Sequence, residues 1–431
     1  MALVLGVPSI MLVLGLIIIL GFFSTLFFER TKIPDIIILM LVGLLIGPVF
    51  KLVQPGDFLP FAPFIGALAL IIVLMDGGLN LDIFKVLTEL SRSTGFTFLV
   101  FALTIGLGTA FLHYILAWPL LHALLMATVV GGTSSAIVIP ILSQVSPNEN
   151  IRIFLSLESV LTDVLCIVFG LAFLQIILSN QFNVGAASHS LVSAFSIAAV
   201  VGVLFAVLWI GVIHRFYGKP FSYFVTLAVV FILYAAVESV QGSGAIAVLT
   251  FALLLANSKR IAALLKIEGQ YALDRSIKTV QNEISFFVKT FFFVYLGLIF
   301  QLDSALETPV LLASIGLLAT IALARAIVVE ILSRLDSSIA QFKTLFISMM
   351  PRGLAAAVLA FLPMQAGLQI NYFPEIAFFV LFLTNVVATI GVFKFASEDR
   401  SGPEPEQSQP PRQQYSPRIR PDLTKPRIVK K

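Results

Sequence analysis

The chain has 431 residues, of which 59% are hydrophobic and only 12% charged, and its mean hydropathy is +1.03. Soluble domains carry about 25% charged residues, so this composition excludes a fold bathed in water on every side. The formal net charge of +4 says less than the way the charges are distributed along the chain.

Stretches of about 20 mostly apolar residues, enough for a helix to cross a bilayer, recur along nearly the whole sequence. No segment alternates with the period of a membrane β-barrel strand. The predicted fold is an all-α polytopic membrane protein of about thirteen transmembrane helices, near 8–28, 33–50, 62–80, 94–116, 119–144, 152–179, 190–213, 220–238, 243–257, 283–300, 308–333, 341–365 and 373–394. The first stretch lacks the charged lead and cleavage site of a signal peptide and is read as a retained helix. The ninth is short, and 258–282 after it reads as an amphipathic interfacial helix. From 396 onward Pro, Gln, Ser and charged residues leave little to bury. The expected organisation is therefore a transmembrane domain over 1–395 and a disordered cytoplasmic tail over 396–431. The single cysteine, Cys166, excludes an intrachain disulfide.

Basic residues order the spans. Loops that follow odd-numbered spans, together with the tail, carry the Lys and Arg residues, whereas loops that follow even-numbered spans carry Lys51 alone. Positive residues collect on the cytoplasmic side. The N-terminus is thus expected outside and the C-terminus in the cytoplasm, in a plasma (inner) membrane.

Charged groups within spans are costly and mark function by default. The sixth span reads RIFLSLESVLTDVLCIVFGLAFL. Asp163 lies eleven residues beyond Arg152, roughly 16 Å along a helix, near the midplane of a hydrocarbon core of about 30 Å. Ser159 is one turn earlier on the same face, and Glu158 and Thr162 form a neighbouring pair. Carboxylate and hydroxyl oxygens suit a hard cation. The fifth span contains VVGGTSSAIVIP and the twelfth ISMMPRGLAAAVLAFLP. Glycine and proline interrupt both. Omitting the seventh span leaves two sets of six in which the fifth and twelfth correspond with opposite orientation, the pattern of inverted repeats that points to a transporter's binding site.

The remaining polar residues have structural readings beside functional ones. Arg352 is expected to pair with Glu158 and hold the two interrupted regions together, with Arg325 as the competing partner. Glu330 is expected to be structural. Lys289 sits early in the tenth span, where it snorkels to the cytoplasmic interface. Asp76, ahead of a double glycine, either reaches the site or caps an amphipathic stretch, and the structural role is favoured. The histidines His113, His122, His189 and His214 fall near span ends.

These residues carry a resemblance. LESVLTDVL at 157–165 is similar to the Glu-Ser-x-x-Asn-Asp stretch of the monovalent cation:proton antiporter superfamily, nearest to its NhaP-type sodium/proton exchanger branch. PRGLAAAVLA at 351–360, ALARAIVV at 322–329 and MDGGLNLD at 75–82 resemble further elements of that family, over about residues 8–395. The resemblance implies Asp163 as the cation- and proton-binding group, with Ser159 as a ligand and Glu158 and Arg352 as buried charges; beside it, the hydroxyls of Thr133, Ser134 and Thr162 are expected to complete the shell. It also implies two crossed, discontinuous helices (the fifth and twelfth) in a six-helix core, and a homodimer. Thr162 stands where that branch has Asn, and Thr133-Ser134-Ser135 where relatives often have Thr-Asp-Pro. The hydroxyl run resembles the potassium-efflux branch, so sodium and potassium both stand as cargo.

The function expected is secondary exchange of Na+ (or K+ or Li+) for H+ by alternating access at Asp163, electroneutral and one for one. Arg325, Asp76 and Lys289 are accessory candidates. No cofactor, nucleic acid or catalytic residue is expected. A channel would need a polar lining along its length, whereas polarity here is confined to one depth. An intramembrane protease would need a histidine or a second aspartate beside the first.

Overall fold

The computed structural model describes residues 7–51, 62–80, 93–145, 149–178, 184–213, 219, 221–240, 242–264, 275–302 and 307–400. Among the described residues there is helix and no strand. Helices α1 (Val7–Thr31), α2 (Asp35–Leu44), α3 (Ala62–Asn80) and α4 (Ser93–Ala110) come first, with π-helical turns at Leu45–Val49 and Phe111–Ile115 extending α2 and α4. Then follow α5 (Leu120–Val129), α6 (Ser135–Val145), α7 (Glu149–Leu178), α8 (Val184–Ile213), α9 (Ser222–Ser239), α10 (Gly244–Ala256) and α11 (Ser258–Leu264). The chain continues with α12 (Arg275–Ile299), α13 (Thr308–Ser333), α14 (Ser337–Gln341), α15 (Lys343–Ser348), α16 (Leu354–Gln365) and α17 (Phe373–Arg400).

Helix falls on each of the thirteen apolar stretches. Eight helices among the described residues are long and apolar enough to cross a membrane: α1, α4, α7, α8, α9, α12, α13 and α17. The bent pair α10–α11, turned by 79°, also passes together, and α2, α3, α5 and α16 are shorter apolar helices. Large apolar side chains stay exposed along α1 and α8, such as Phe22 and Phe23 on the first and Val200, Leu204 and Leu208 on the second. A lipid solvent accounts for such surfaces, since helices satisfy their own backbone and present apolar side chains outward.

Two boundaries differ from expectation. Residues 275–282 belong to α12, not to a separate interfacial helix. Polar character there is absorbed internally: Gln281 is buried, accepts a 2.5 Å hydrogen bond from Tyr223 Oη and donates to the Ile72 carbonyl at 3.2 Å. At the other end α17 runs on through Arg400, past the expected limit at 395, while 401–431 of the tail lies outside the described residues.

Packing divides the helices into two groups. One holds α4, α5, α6, α7, α13, α15, α16 and α17; the other holds α1, α2, α3, α8, α9, α10 and α12. They meet chiefly where α16 lies against α3 and where α7 lies against α8 and α3. The second group contains a very close helix pair. A Cβ added to Gly43 of α2 would strike the carbonyl oxygen of Val294, and one added to Gly297 of α12 would strike that of Met40. Each such Cβ would also sit 3.0 Å from the opposing glycine's Cα. The two backbones touch, as small residues allow in membranes. Gly297→Val is expected to destabilise the folded protein by about 1–3 kcal/mol through overpacking, read as a lower midpoint of thermal unfolding in detergent; an unchanged midpoint would show that the pair has slack.

Candidate functional site

The site begins with two interruptions. Between α5 and α6 the backbone leaves the helix from Val130 to Ser134; between α15 and α16 it does so from Met349 to Gly353. Interrupted helices leave backbone groups without intrahelical partners, and buried groups of that kind must be satisfied elsewhere. Here each interruption satisfies the other. The Ser134 amide donates to the Pro351 carbonyl at 2.8 Å. Arg352, 2% exposed, donates from Nε to the Val130 carbonyl at 2.7 Å and from Nη2 to the Gly131 carbonyl at 3.2 Å, while Nη1 donates to Met350 at 2.8 Å. Its own main chain is held by α17: Asn385 Nδ2 donates to the Arg352 carbonyl at 2.8 Å, and the Arg352 amide donates to Thr384 Oγ1 at 3.3 Å.

The expected Glu158–Arg352 pair is therefore corrected. Glu158, 1% exposed, takes Arg325 of α13 in a two-pronged bond, Nη1 to Oε1 at 2.6 Å and Nη2 to Oε2 at 2.8 Å. Arg325 also donates from Nε to the Phe346 carbonyl and lies over the Phe96 ring, 5.6 Å from its centre. An uninterrupted helix presents the Arg325 fork to the carboxylate on α7, and bidentate geometry is what a guanidinium does best. Arg352 emerges from unwound backbone, where carbonyls are the nearer acceptors.

Asp163 faces a cavity of about 360 Å³ at the junction of the two helix groups. Its Oδ2 accepts from the Ser135 amide at 2.9 Å and from Ser135 Oγ at 2.7 Å. Ser135 is the first residue of α6, so its amide is one that the helix leaves over, and a helix N-terminus favours an anion. Ser134, Asp76 and Lys289 share the lining with Asp163.

Thr133, Ser159 and Thr162 do not line this cavity. All three are buried. Thr133 and Thr162 hydroxyls share a 2.9 Å hydrogen bond, and the Thr133 amide donates to Thr162 Oγ1 at 3.1 Å. Ser159 donates to the Ser156 carbonyl at 2.9 Å. The two threonine hydroxyls tie the first interruption to α7, and that of Ser159 serves the backbone of its own helix. Gly132 makes the tie close, because an added Cβ would lie 2.8 Å from the Thr162 carbonyl oxygen.

Asp76 does not end its helix, since α3 continues through the double glycine to Asn80. It accepts from Asn80 Nδ2 at 3.1 Å and also reaches the cavity. Lys289 Nζ meets Asp35 Oδ2 at 2.6 Å, where α2 packs against α12. Glu330 pairs with Lys343 and Arg334 at the end of α13. His113 Nδ1 bonds the Trp118 carbonyl at 2.7 Å; the side chains of His189 and His214, and Leu81 and Asp82 of the MDGGLNLD stretch, lie outside the described residues.

Ser135, Asp35, Thr384 and Asn385 were not assigned roles from the sequence. A signal existed for Ser135, as the hydroxyl that restarts a helix after GGTS, and for the Thr384-Asn385 pair, as polar residues amid an apolar span. Asp35 gave no such signal, because its partner lies 254 positions away.

Residues 14–397 match the family model described as sodium/hydrogen exchanger, transmembrane. The chain belongs to this family. As a sodium/hydrogen exchanger family member it is an integral membrane protein. It is 28% identical over 321 residues to Na(+)/H(+) antiporter 1 of Methanocaldococcus jannaschii, covering 70% of this chain and 72% of the relative. It is 25% identical over 370 residues to the K(+)/H(+) antiporter NhaP2 of Shewanella sp. strain ANA-3, covering 83% of this chain and 61% of that longer relative. The solved sodium proton antiporter MjNhaP1 from M. jannaschii superposes with a TM-score of 0.72 at 22% identity, covering 91% of this chain and 99% of that one.

A buried ion pair gives a clear mutational signature. Arg325→Ala alone is expected to cost about 3–5 kcal/mol by stranding Glu158. The Arg325→Ala/Glu158→Ala double variant is expected to lose less than the sum of the two single variants. Thermal unfolding of the four proteins measures this, and additive losses would mean that the pair does not act as a unit.

Proposed function

We propose that this exchanger carries a monovalent cation, sodium in the first instance, against a proton by alternating access at Asp163. The observation that carries the reading is a partly exposed carboxylate, held through one oxygen by Ser135, facing a cavity where two helix groups meet. A proton and a dehydrated cation compete for the same oxygens there. Movement of one group against the other then moves the occupied carboxylate from one side of the bilayer to the other. Ser134 and Ser135 add hydroxyl oxygens, ligands suited to a hard cation. The naming of the M. jannaschii relative as a Na(+)/H(+) antiporter supports sodium. The hydroxyl run and the K(+)/H(+) naming of the Shewanella relatives support potassium as the second reading.

One-for-one exchange is supported by the pairing of the other charges. Glu158 is committed to Arg325 and Lys289 to Asp35; of the two carboxylates in the cavity lining, Asp76 bonds Asn80 of its own helix, and Asp163 is the one taken here to trade a cation for a proton. The cavity lining includes Asn282, near the start of α12. With the N-terminus outside and the C-terminus in the cytoplasm, as the basic loops indicate, that end of α12 is cytoplasmic and the site faces inward. The family resemblance supports a homodimer in the plasma membrane, formed through the second helix group, with the first acting as the moving core.

Proton flux in proteoliposomes, driven by sodium, potassium or lithium with the voltage clamped or varied, tests the reading. Asp163→Asn is expected to abolish cation-driven flux while the protein stays folded; full residual flux would remove Asp163 from the site. Flux that ignores voltage supports one-for-one exchange, and flux that follows it would bring in a second charge. In the wild type the cation KM is expected to rise as pH falls, by up to about tenfold per pH unit, because mutually exclusive ligands weaken each other reciprocally. A KM independent of pH would contradict a shared site.

A further inference from the structure

Among the described residues three charged side chains meet the cavity: Asp163 from α7, Asp76 from α3 and Lys289 from α12. Lys289 has the same charge as the proposed cargo and lines the same cavity as Asp76 and Asp163. Its ammonium sits on a flexible four-carbon stem that can point in more than one direction. What fixes it is Asp35, whose Oδ2 lies 2.6 Å from Nζ, with the two side chains only 20% and 12% exposed for Lys289 and Asp35. Asp35 itself is well anchored. It opens α2, its carbonyl accepts from Ser24 Oγ at 3.0 Å, and α2 and α12 touch through Gly43 and Gly297.

Resting on the exchange reading above, we propose that Asp35 is a positioning residue that sets cation affinity. It holds the Lys289 ammonium against α2, and so keeps a tethered positive charge from occupying the place of the transported cation beside Asp163 and Asp76. Released from Asp35, the ammonium turns to those carboxylates. The incoming cation must then displace it, in a cavity where opposite charges attract more strongly than in water. The pair tunes binding without touching the cargo.

The experiment compares wild type, Asp35→Asn, Asp35→Glu, Lys289→Met and the Asp35→Asn/Lys289→Met double variant by two readouts. One is the sodium or potassium concentration giving half-maximal thermal stabilisation over choline, which reports binding to the folded state. The other is the cation KM and maximal rate of proton flux in proteoliposomes. Asp35→Asn is expected to raise the half-maximal concentration and the KM by about tenfold, a factor that corresponds to 1.4 kcal/mol, with the maximal rate nearly kept. Asp35→Glu is expected to remain near wild type. Lys289→Met, alone or with Asp35→Asn, is expected to bring both values to the wild-type level or below.

Unchanged affinity in Asp35→Asn overturns the proposal, and so does a double variant as weak as the single one, since a structural role for Asp35 would not be rescued by removing Lys289. If Asp35→Asn does not fold, the proposal stands or falls on Lys289→Met, whose affinity must not be weaker than wild type. Wild-type stabilisation without flux overturns the exchange reading and leaves the binding comparison to decide the Asp35 proposal. Wild type that neither cation stabilises overturns both.

Discussion

Arg352 places its guanidinium among carbonyls that two interrupted helices leave bare. A membrane interior supplies no water to satisfy such groups, and each would cost several kcal/mol if left alone. With Arg352 in place the unwound stretches at 130–134 and 349–353 become a single hydrogen-bonded unit, tied further by the Ser134 amide on Pro351. The exposed start of α6 depends on that unit, and the placement of Ser135 against Asp163 depends on the start of α6. An arginine whose side chain bonds backbone carbonyls is thus the element on which the site's geometry rests.

The other buried charges follow from this assignment. Because Arg352 is engaged by backbone, Glu158 is left to Arg325, and that pair joins α7 to α13 away from the cavity. The hydroxyls of Thr133 and Thr162 are used in holding the interruption to α7. The polar inventory of the membrane interior therefore separates into two sets. One set satisfies backbone and charge away from the cavity, and a second set, Asp163, Ser134, Ser135, Asp76 and Lys289, lines the cavity.

The helices were legible because their apolar runs are long and their limits carry turn residues; α13, Thr308–Ser333, spans the very stretch expected. The interruptions at GGTS and PRG could be read from glycine and proline, and Asp163 from its depth. What the sequence did not disclose was the choice among partners. Arg325 and Arg352 look equally able to meet Glu158 in one dimension. The difference lies in whether the residue sits on an intact helix or on unwound backbone, which spacing does not reveal. Ser159 shared a helical face with Asp163 by periodicity, yet its hydroxyl turned to the carbonyl of Ser156, an acceptor that every serine on a helix has within reach. Asp35 and Lys289 are distant in sequence and come together only because α2 and α12 pack side by side.

The contact of Gly43 with Gly297 also bears on how the sequence can drift. Where helices are separated by side chains, any change of volume alters their spacing and moves whatever they carry. Here the spacing between α2 and α12 is set by main-chain atoms, which are the same in every residue. Neighbouring lipid-facing positions can exchange one apolar residue for another without moving Asp35 relative to Lys289. The electrostatic setting of the cavity is thereby insulated from most of the substitutions that the outer surface tolerates, and is sensitive to change at only a few positions.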